Sequence, residues 1–278
     1  MLYCVIVEEN IAKKNILITG ASSGLGALLK KRFEADGASV FALSRSGEFP
    51  CDVRDEEQVA SAVAAAAAAQ CGAFDMIICN AGAGISGAVE HLPTDAVRDN
   101  VDVNFFGAYY LIKHGLSYLK EGGRVVSVSS AAALFPVPYR EIYSAGKAAL
   151  NMLTLGLGLE TEAFRTITIC PGEIATPFTV NRAVYDGTDE KYGDRPKAAA
   201  EKVKRGKKRM DADKAADKLY RIMNKKRPKR FYIVGAKVKA FYFFSKILPT
   251  NLFLKLIGAT HGGRKHTEEA KGKEEKKD

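Results

Sequence analysis

The 278-residue chain is poor in the residues that build disulfide scaffolds and metal centres. Its five cysteines, Cys4, Cys51, Cys71, Cys79 and Cys170, are odd in number and show no metal-ligand spacing. A disulfide framework is thereby disfavoured, and reduced thiols in a cytoplasmic setting are the default expectation. The four histidines, His91, His114, His261 and His266, are scattered, so no metal site is expected. The chain also lacks a clean apolar run of membrane-spanning length. Its most apolar stretch, AFYFFSKILPTNLFLKLIGA over 240–259, is interrupted by Lys246, Pro249 and Lys255, which makes a poor transmembrane span. Residues 1–7 are apolar but short, and Glu8-Glu9 follows without a basic start or cleavage site, so no secretory leader is expected.

What is present is a repeated alternation of short apolar runs with helical segments, as one α/β unit would show. Asn15-Ile16-Leu17-Ile18 reads as a buried strand. TGASSGLG follows at 19–26, then the helix-periodic ALLKKRFEADG. Strand, glycine-rich turn and helix form the context of a phosphate-binding loop. Gly20 permits the tight turn, Gly24 lets backbone approach a pyrophosphate, and Gly26 lets the helix pack close, with Ser22, Ser23 and Leu25 between them. The helix start offers free N–H groups and the positive dipole end to the phosphates. The spacing is G-x-x-x-G-x-G, and such a loop could also merely turn the chain. The next strand ends at Ser44-Arg45-Ser46, where a NAD-specific site expects Asp or Glu to hold the ribose 2′-OH. A guanidinium there suits a 2′-phosphate, so NADP(H) is favoured over NAD(H). The competing reading makes Arg45 a solvated loop charge.

Further along, Tyr143-Ser144-Ala145-Gly146-Lys147 lies thirteen residues after Ser130. Positions i and i+4 share a helix face, so the Tyr143 phenol and the Lys147 ammonium can enter one pocket. A nearby cation favours the phenolate and lowers its pKa, which suits Tyr143 to acid/base work on a carbonyl/alcohol pair. Taken alone, a Tyr and a Lys four apart are usually a surface pair.

With these motifs in order, residues 13–235 resemble the short-chain dehydrogenase/reductases. The resemblance runs through TGASSGLG at 19–26, Asp52-Val53, Asn80-Ala81-Gly82, Asn104 in NFFG, Ser130, Tyr143, Lys147, Pro171-Gly172 and Thr176. It implies a single-domain, Rossmann-like doubly wound parallel sheet with helices on both faces. It also implies roles. Asp52 and Val53 would contact adenine, and Asn80, Ala81 and Gly82 would line the cofactor near the adenosine ribose and stabilise the sheet. Asn104 would hold a proton-relaying water for Lys147, and Ser130 would hydrogen-bond the substrate carbonyl oxygen. Tyr143 would donate the proton in reduction, while Lys147 would also hold the nicotinamide ribose. Pro171 and Gly172 lead to Ile174 and Thr176, which would secure the carboxamide. Two departures stand out: the helix joining the second and third strands is lost or reduced to a loop between Arg45 and Asp52, and Gly146 replaces the more usual Ser.

The remaining elements are expected as a helix starting near 55 through the alanine run 62–69, a strand at 74–79 and a long helix at 95–119. A strand at 124–128, the Tyr143 helix at 142–164 and a strand at 166–170 follow. In this family residues 178–210 would form the loop over the substrate, and Phe178 and Val180 at its entry lean toward a hydrophobic alcohol or ketone. The resemblance to members acting on steroids, retinoids and lipid carbonyls runs through NAGAGISGAVEHL at 80–92 and the aromatic C-terminal end. Apolar excess on the two long helices (Tyr109-Tyr110-Leu111-Ile112, Met152-Leu153) fits a homodimer or homotetramer, or burial within one copy.

Charge divides the chain unevenly. Residues 1–180 hold 14 Lys/Arg and 19 Asp/Glu, whereas 181–278 hold 28 and 13, so the whole basic excess lies in the second part. No nucleic-acid module accompanies it, and nucleic acid is not expected as a partner. The apolar, aromatic segment at 236–261 is left with two main readings: a cover for the pocket or an oligomer contact, or a helix lying on a membrane surface. Residues 262–278, rich in Lys, Glu and Gly, read as a disordered tail. The principal functional expectation is an NADP(H)-dependent oxidoreductase. The alternative from another class is a non-catalytic NADP-binding, redox-responsive interaction protein, and a sugar-nucleotide epimerase or dehydratase is a further enzymatic rival.

Overall fold

The computed structural model describes residues 13–69, 73–185, 187, 189–204 and 209–261. The expected tail at 262–278, the N-terminal stretch, Cys4 and Cys71 lie outside them. Strand β1 (Asn15–Thr19) is followed by α1 (Gly24–Ala35), β2 (Ser39–Ser44), β3 (Phe49–Pro50), α2 (Glu56–Ala69), β4 (Phe74–Cys79) and β5 (Ile85–Gly87). Then come α3 (Thr94–Val101), α4 (Gly107–Gly115), β6 (Leu119–Val128), α5 (Glu141–Glu160), β7 (Arg165–Pro171), α6 (Pro177–Val180) and β8 (Ala183–Tyr185). The chain continues through α7 (Arg195–Lys204), α8 (Ala212–Met223), β9 (Phe231–Val234), α9 (Ala236–Ile247) and α10 (Thr250–His261).

Seven strands form one parallel sheet in the order β3-β2-β1-β4-β6-β7-β9. Successive side chains in a strand point to opposite faces, and this alternation divides the core in two. Leu17, Ile77 and Val125 pack with Val63, Leu111 and Leu150 of α2, α4 and α5. Ile16, Ile18, Met76, Ile78 and Val126 pack with Leu29, Phe33 and Leu219 of α1 and α8 on the other face. Both faces are covered, which is why the strands read as continuous apolar runs. This is the doubly wound α/β fold expected from the sequence. The chain leaves β1 toward β2 and returns to β4 on the other side, so the switch point opens beside the strand C-termini.

The missing crossover helix is as expected: β2 passes through residues 45–48 directly to the two-residue β3, whose Phe49 packs 5.8 Å from Phe41. Several local features differ from the sequence expectations: β6 begins at Leu119 rather than at residue 124, and α5 ends at Glu160 rather than at 164. The long helix at 95–119 is broken into α3 and α4 by a π-helical turn at Asp102–Phe106, which carries Asn104; such turns recur at functional sites. The apolar run at 240–259 is two helices rather than one, divided at Pro249 because proline cannot donate the backbone bond that a continuous helix needs. No helix of the described residues is long and apolar enough to cross a membrane.

Candidate active site

A cleft of about 1510 Å³ runs along the strand C-terminal ends. One end is built by the turn between β1 and α1. Gly20 has φ +67°, and a Cβ there would stand 2.8 Å from Ala81 Cα. A Cβ on Gly26 would come within 2.2 Å of the Gly20 carbonyl oxygen, so only glycine lets α1 pack here. Asn80 clamps the turn, its Nδ2 donating to the carbonyls of Thr19 and Gly20 at 3.0 Å each. The Asn80 and Ala81 N–H groups donate to Thr19 Oγ1 at 3.2 Å. Asn80 thereby ties the end of β4 to the turn after β1. The first turn of α1 has no acidic side chain, and Ser23 makes no side-chain cap bond to it. Its N–H groups therefore remain available to an anion, and the cradle fits a dinucleotide pyrophosphate.

Gly20, Ser22, Ser23, Gly24, Leu25 and Gly26 all line this end of the cleft, as do Ser44, Arg45, Asp52 and Val53. Arg45 is exposed at the rim. Ser44 Oγ donates to the Ser46 carbonyl and is therefore partly committed. The Asp52 carboxylate is gripped by Arg54 at 2.6 Å, and this hydrogen bond pulls its pKa below the usual carboxylate range. Arg54, which the sequence did not single out, also reaches Asp99 at 2.9 Å and lines the same end.

At the other end, α5 turns Tyr143 and Lys147 inward, both buried, as the i, i+4 spacing requires. Ser130 caps the short turn after β6, its Oγ accepting from Ala132 N at 3.1 Å. Lys147 Nζ donates to the Val128 carbonyl at 3.2 Å. Asn104 is fully buried, with Nδ2 donating to the Ala83 and Asn100 carbonyls at 2.8 Å. Its Oδ1 has no protein partner. A Cβ on Gly82 would lie 3.0 Å from Asn104 Oδ1 and 3.3 Å from Lys147 Nζ, so the two polar atoms flank one point behind the cleft. Asn104 itself does not reach the cleft surface; Ser130, Tyr143 and Lys147 do.

Electrostatics correct one expectation. Lys147 does not hold the Tyr143 phenol acidic in this state. Burial raises the Tyr143 pKa, and the opposing influences are the Ser130 hydroxyl and the charges of Arg182 and Arg140. Lys147 is itself desolvated, its pKa falling to about 8. Removal from water penalises the charged form of each side chain, and it is the largest influence on both.

Along the remaining wall, Pro171, Gly172, Ile174 and Thr176 line the cleft after β7. Ile174 pairs with Met210, and Thr176 faces Gly24 across the opening. Phe178 lines the cleft with its ring 5.7 Å from Tyr143. Val180, expected beside it, points to solvent at 67% exposure, because α6 is a single turn that can present only one side. Phe241 and Phe253 of the C-terminal helices meet Phe135 at 6.0 and 6.1 Å, so one face of this helix pair packs on a residue that lines the cleft. Sequence reasoning missed Arg140, Glu173, Arg182 and Arg209, which gather at this end from four separate segments.

Outside the cleft, Glu90, His91 and Asp189 converge, but Lys191 bonds Glu90 at 2.9 Å and His91 Nε2 lies 2.9 Å from Asp189, so both carboxylates are already engaged by neighbouring side chains. Among the described cysteines, Cys51, Cys79 and Cys170 are buried free thiols, pushed up to about 11, 12 and 11 by desolvation, which disfavours the thiolate.

The chain is similar to proteins that share this architecture. A family model described as short chain dehydrogenase matches residues 47–184. A 3-ketodihydrosphingosine reductase of Bacteroides thetaiotaomicron is 34% identical over 194 residues, 64% of this chain and 71% of the relative. An uncharacterized oxidoreductase of Schizosaccharomyces pombe is 30% identical over 238 residues, covering 79% and 81%. Among solved structures, a short-chain dehydrogenase from Streptomyces avermitilis superposes with a TM-score of 0.77 at 24% identity, over 88% of this chain and 95% of that one. The strand order, the glycine cradle and the extent of the two sequence matches lead to one conclusion: this chain is a member of the short-chain dehydrogenase family of oxidoreductases.

Proposed function

We propose that the protein uses NADP(H) to interconvert a hydrophobic ketone and its secondary alcohol. The observation that carries this reading is one continuous cleft with a phosphate cradle at one end and the Ser130 and Tyr143 hydroxyls at the other. When bound, the nicotinamide supplies or takes the hydride. Ser130 and the Tyr143 hydroxyl hydrogen-bond the substrate oxygen, and Tyr143 gives up its proton as negative charge develops there. Lys147 and Asn104 stand behind them as the route by which that proton is replaced, the unpartnered Asn104 Oδ1 suiting a bridging water. A protein that only bound nucleotide would have no need of the Ser130 hydroxyl beside the buried Tyr143, which counts against a non-catalytic role.

NADP over NAD is supported by Arg45 at the rim and by the absence of an acidic residue at the end of β2. A hydrophobic substrate is supported by Ile85, Phe135, Val137, Phe178 and Phe241 lining the cleft. Residues 13–235 would form the catalytic unit, with 236–261 as its cover. The outer face of that cover exposes Phe243, Phe244, Ile247, Leu252 and Leu254, which fits a peripheral membrane surface. Exposed Phe106, Tyr109, Met152 and Leu159 on the other side fit a homodimer or homotetramer contact. Tyr143→Phe tests the mechanism. Turnover, read as NADPH absorbance with a panel of ketones, should vanish while NADPH binding persists, and turnover within a few-fold of wild type would refute the assignment.

A further inference from the structure

The substrate end of the cleft holds an excess of positive charge that the carbonyl chemistry does not use. Arg140 sits at the N-terminus of α5, three residues before Tyr143, with its side chain largely buried. Its Nη1 donates to Glu173 Oε1 at 3.3 Å. Arg182 directly precedes β8, where the pairing of β5 with β8 and the Ala183 N–H bond to the Gly84 carbonyl at 3.0 Å fix its backbone. Its side chain lies along Gly84, where a Cβ would stand 2.9 Å from Nε. Arg182 Nε and Nη1 are buried without a hydrogen-bond partner. Arg209 lines the same region and, like Arg140, disfavours the charge on Arg182. Glu173, already engaged by Arg140, is the carboxylate whose charge acts on Arg182. Burial and these like charges bring Arg182 down to about 10.

A buried guanidinium with unsatisfied donors is costly unless something pairs with it. Arginine presents a planar fork matched to two oxygens of a carboxylate or phosphate. The phosphate cradle and Arg45 lie at the opposite end of the cleft, so the cofactor's phosphates are provided for elsewhere. Arg182 is near enough to Tyr143 for its charge to act on the phenol. We infer that the substrate carries an oxyanion, a carboxylate or a phosphate monoester, a few bonds from the reacting carbon, held by Arg182 with Arg140 beside it. The apolar remainder lies toward Phe135 and Phe241. This rests on the proposed carbonyl reduction and narrows its substrate from hydrophobic to amphiphilic and anionic. A neutral ketone leaves the Arg182 donors unpaired, and an amino ketone adds a like charge.

The test is a matched panel: a medium-chain hydroxyketone, its phosphate monoester, the corresponding keto acid and the corresponding amino ketone. Each is assayed for kcat/KM with NADPH, using wild type, Arg182→Gln and Arg182→Lys. The phosphate ester or the keto acid should exceed the neutral ketone by about tenfold or more, and the choice between these two identifies the oxyanion. Arg182→Gln should collapse that ratio and Arg182→Lys should restore part of it, with NADPH affinity unchanged in both. A preference for the neutral or amino compound, an equal loss on every substrate, or weakened NADPH binding in Arg182→Gln would overturn the inference. If no compound of any head group is reduced, it is the oxidoreductase reading that fails. Calorimetry of decanoate and decanol against the protein with NADP⁺ then decides the subsite. Decanoate binding lost in Arg182→Gln supports it, and indifference to that substitution refutes it.

Discussion

Replacing Lys147 by methionine is expected to stabilise the unliganded fold at neutral pH while abolishing turnover. Lys147 is 3% exposed and has the Val128 carbonyl as its hydrogen-bond acceptor. Burial lowers its pKa from 10.5 to about 8. At about 1.4 kcal/mol per unit, holding the charged form in the fold costs about 3 kcal/mol. Methionine fills similar space without the charge but leaves the Val128 carbonyl without that donor, a loss of about 1–2 kcal/mol. The net expectation at pH 7 is a gain of about 1–2 kcal/mol. The sign of the pH dependence follows from a base whose folded pKa is depressed. Below about pH 8 both states carry the proton and the cost is fully present. Between about 8 and 10.5 the unfolded chain binds more protons, so the wild type gains stability as pH rises through that window. The advantage of Lys147→Met should therefore shrink as the pH approaches 10. Urea denaturation of the cofactor-free protein at pH 7 and pH 9.5 reads both quantities. A variant less stable than wild type at pH 7, or an advantage equal at the two pH values, would refute the desolvation argument.

Arg45→Ala should weaken NADPH by about 1.5–3 kcal/mol more than NADH, measured by fluorescence titration of each cofactor; equal losses would make Arg45 a bystander. Two glycine substitutions should differ in consequence. Gly26→Ala drives a Cβ to 2.2 Å from the Gly20 carbonyl oxygen and should abolish cofactor binding with a lowered Tm. Gly146→Ala meets only ordinary contact, 3.5 Å from Asn104 Cβ, inside α5 and should raise stability by up to about 1 kcal/mol in a thermal melt. For the C-terminal cover, co-sedimentation with anionic vesicles should weaken with salt and fall further in Phe243→Ser/Leu252→Ser, both sites being solvent-exposed. Failure of the intact chain to bind anionic vesicles at low salt would leave 236–261 as a pocket cover alone.

The parts legible in the sequence were those written in short-range order. Strands β1, β4 and β7 are apolar runs of five to seven residues, and both sheet faces could be read from them because each strand is covered on both sides. The glycine turn announced itself because Gly20 and Gly26 occupy positions where a Cβ would collide with backbone. Tyr143 and Lys147 were paired by one turn of helix, and the lost crossover helix was evident from the few residues available between β2 and α2. The π-helical turn around Asn104 left no such trace, since its residues continue the helical pattern on either side.

Sequence by itself therefore determined the doubly wound fold, the glycine turn after β1 and the placing of Tyr143 and Lys147 on one helix face, while Ser130 was added by the family resemblance. Periodicity, glycine stereochemistry and i, i+4 geometry are local properties that survive in one dimension. Only the tertiary structure decided what those groups experience. Burial raises Tyr143 and lowers Lys147, the reverse for the phenol of what a neighbouring cation suggests, because desolvation depends on everything packed around a side chain. The same holds for Arg140, Arg182 and Arg209. Nothing in their spacing marks them as partners, and they share a pocket because α5, the β5–β8 pair and the Ile174–Met210 bridge fold distant segments against one wall.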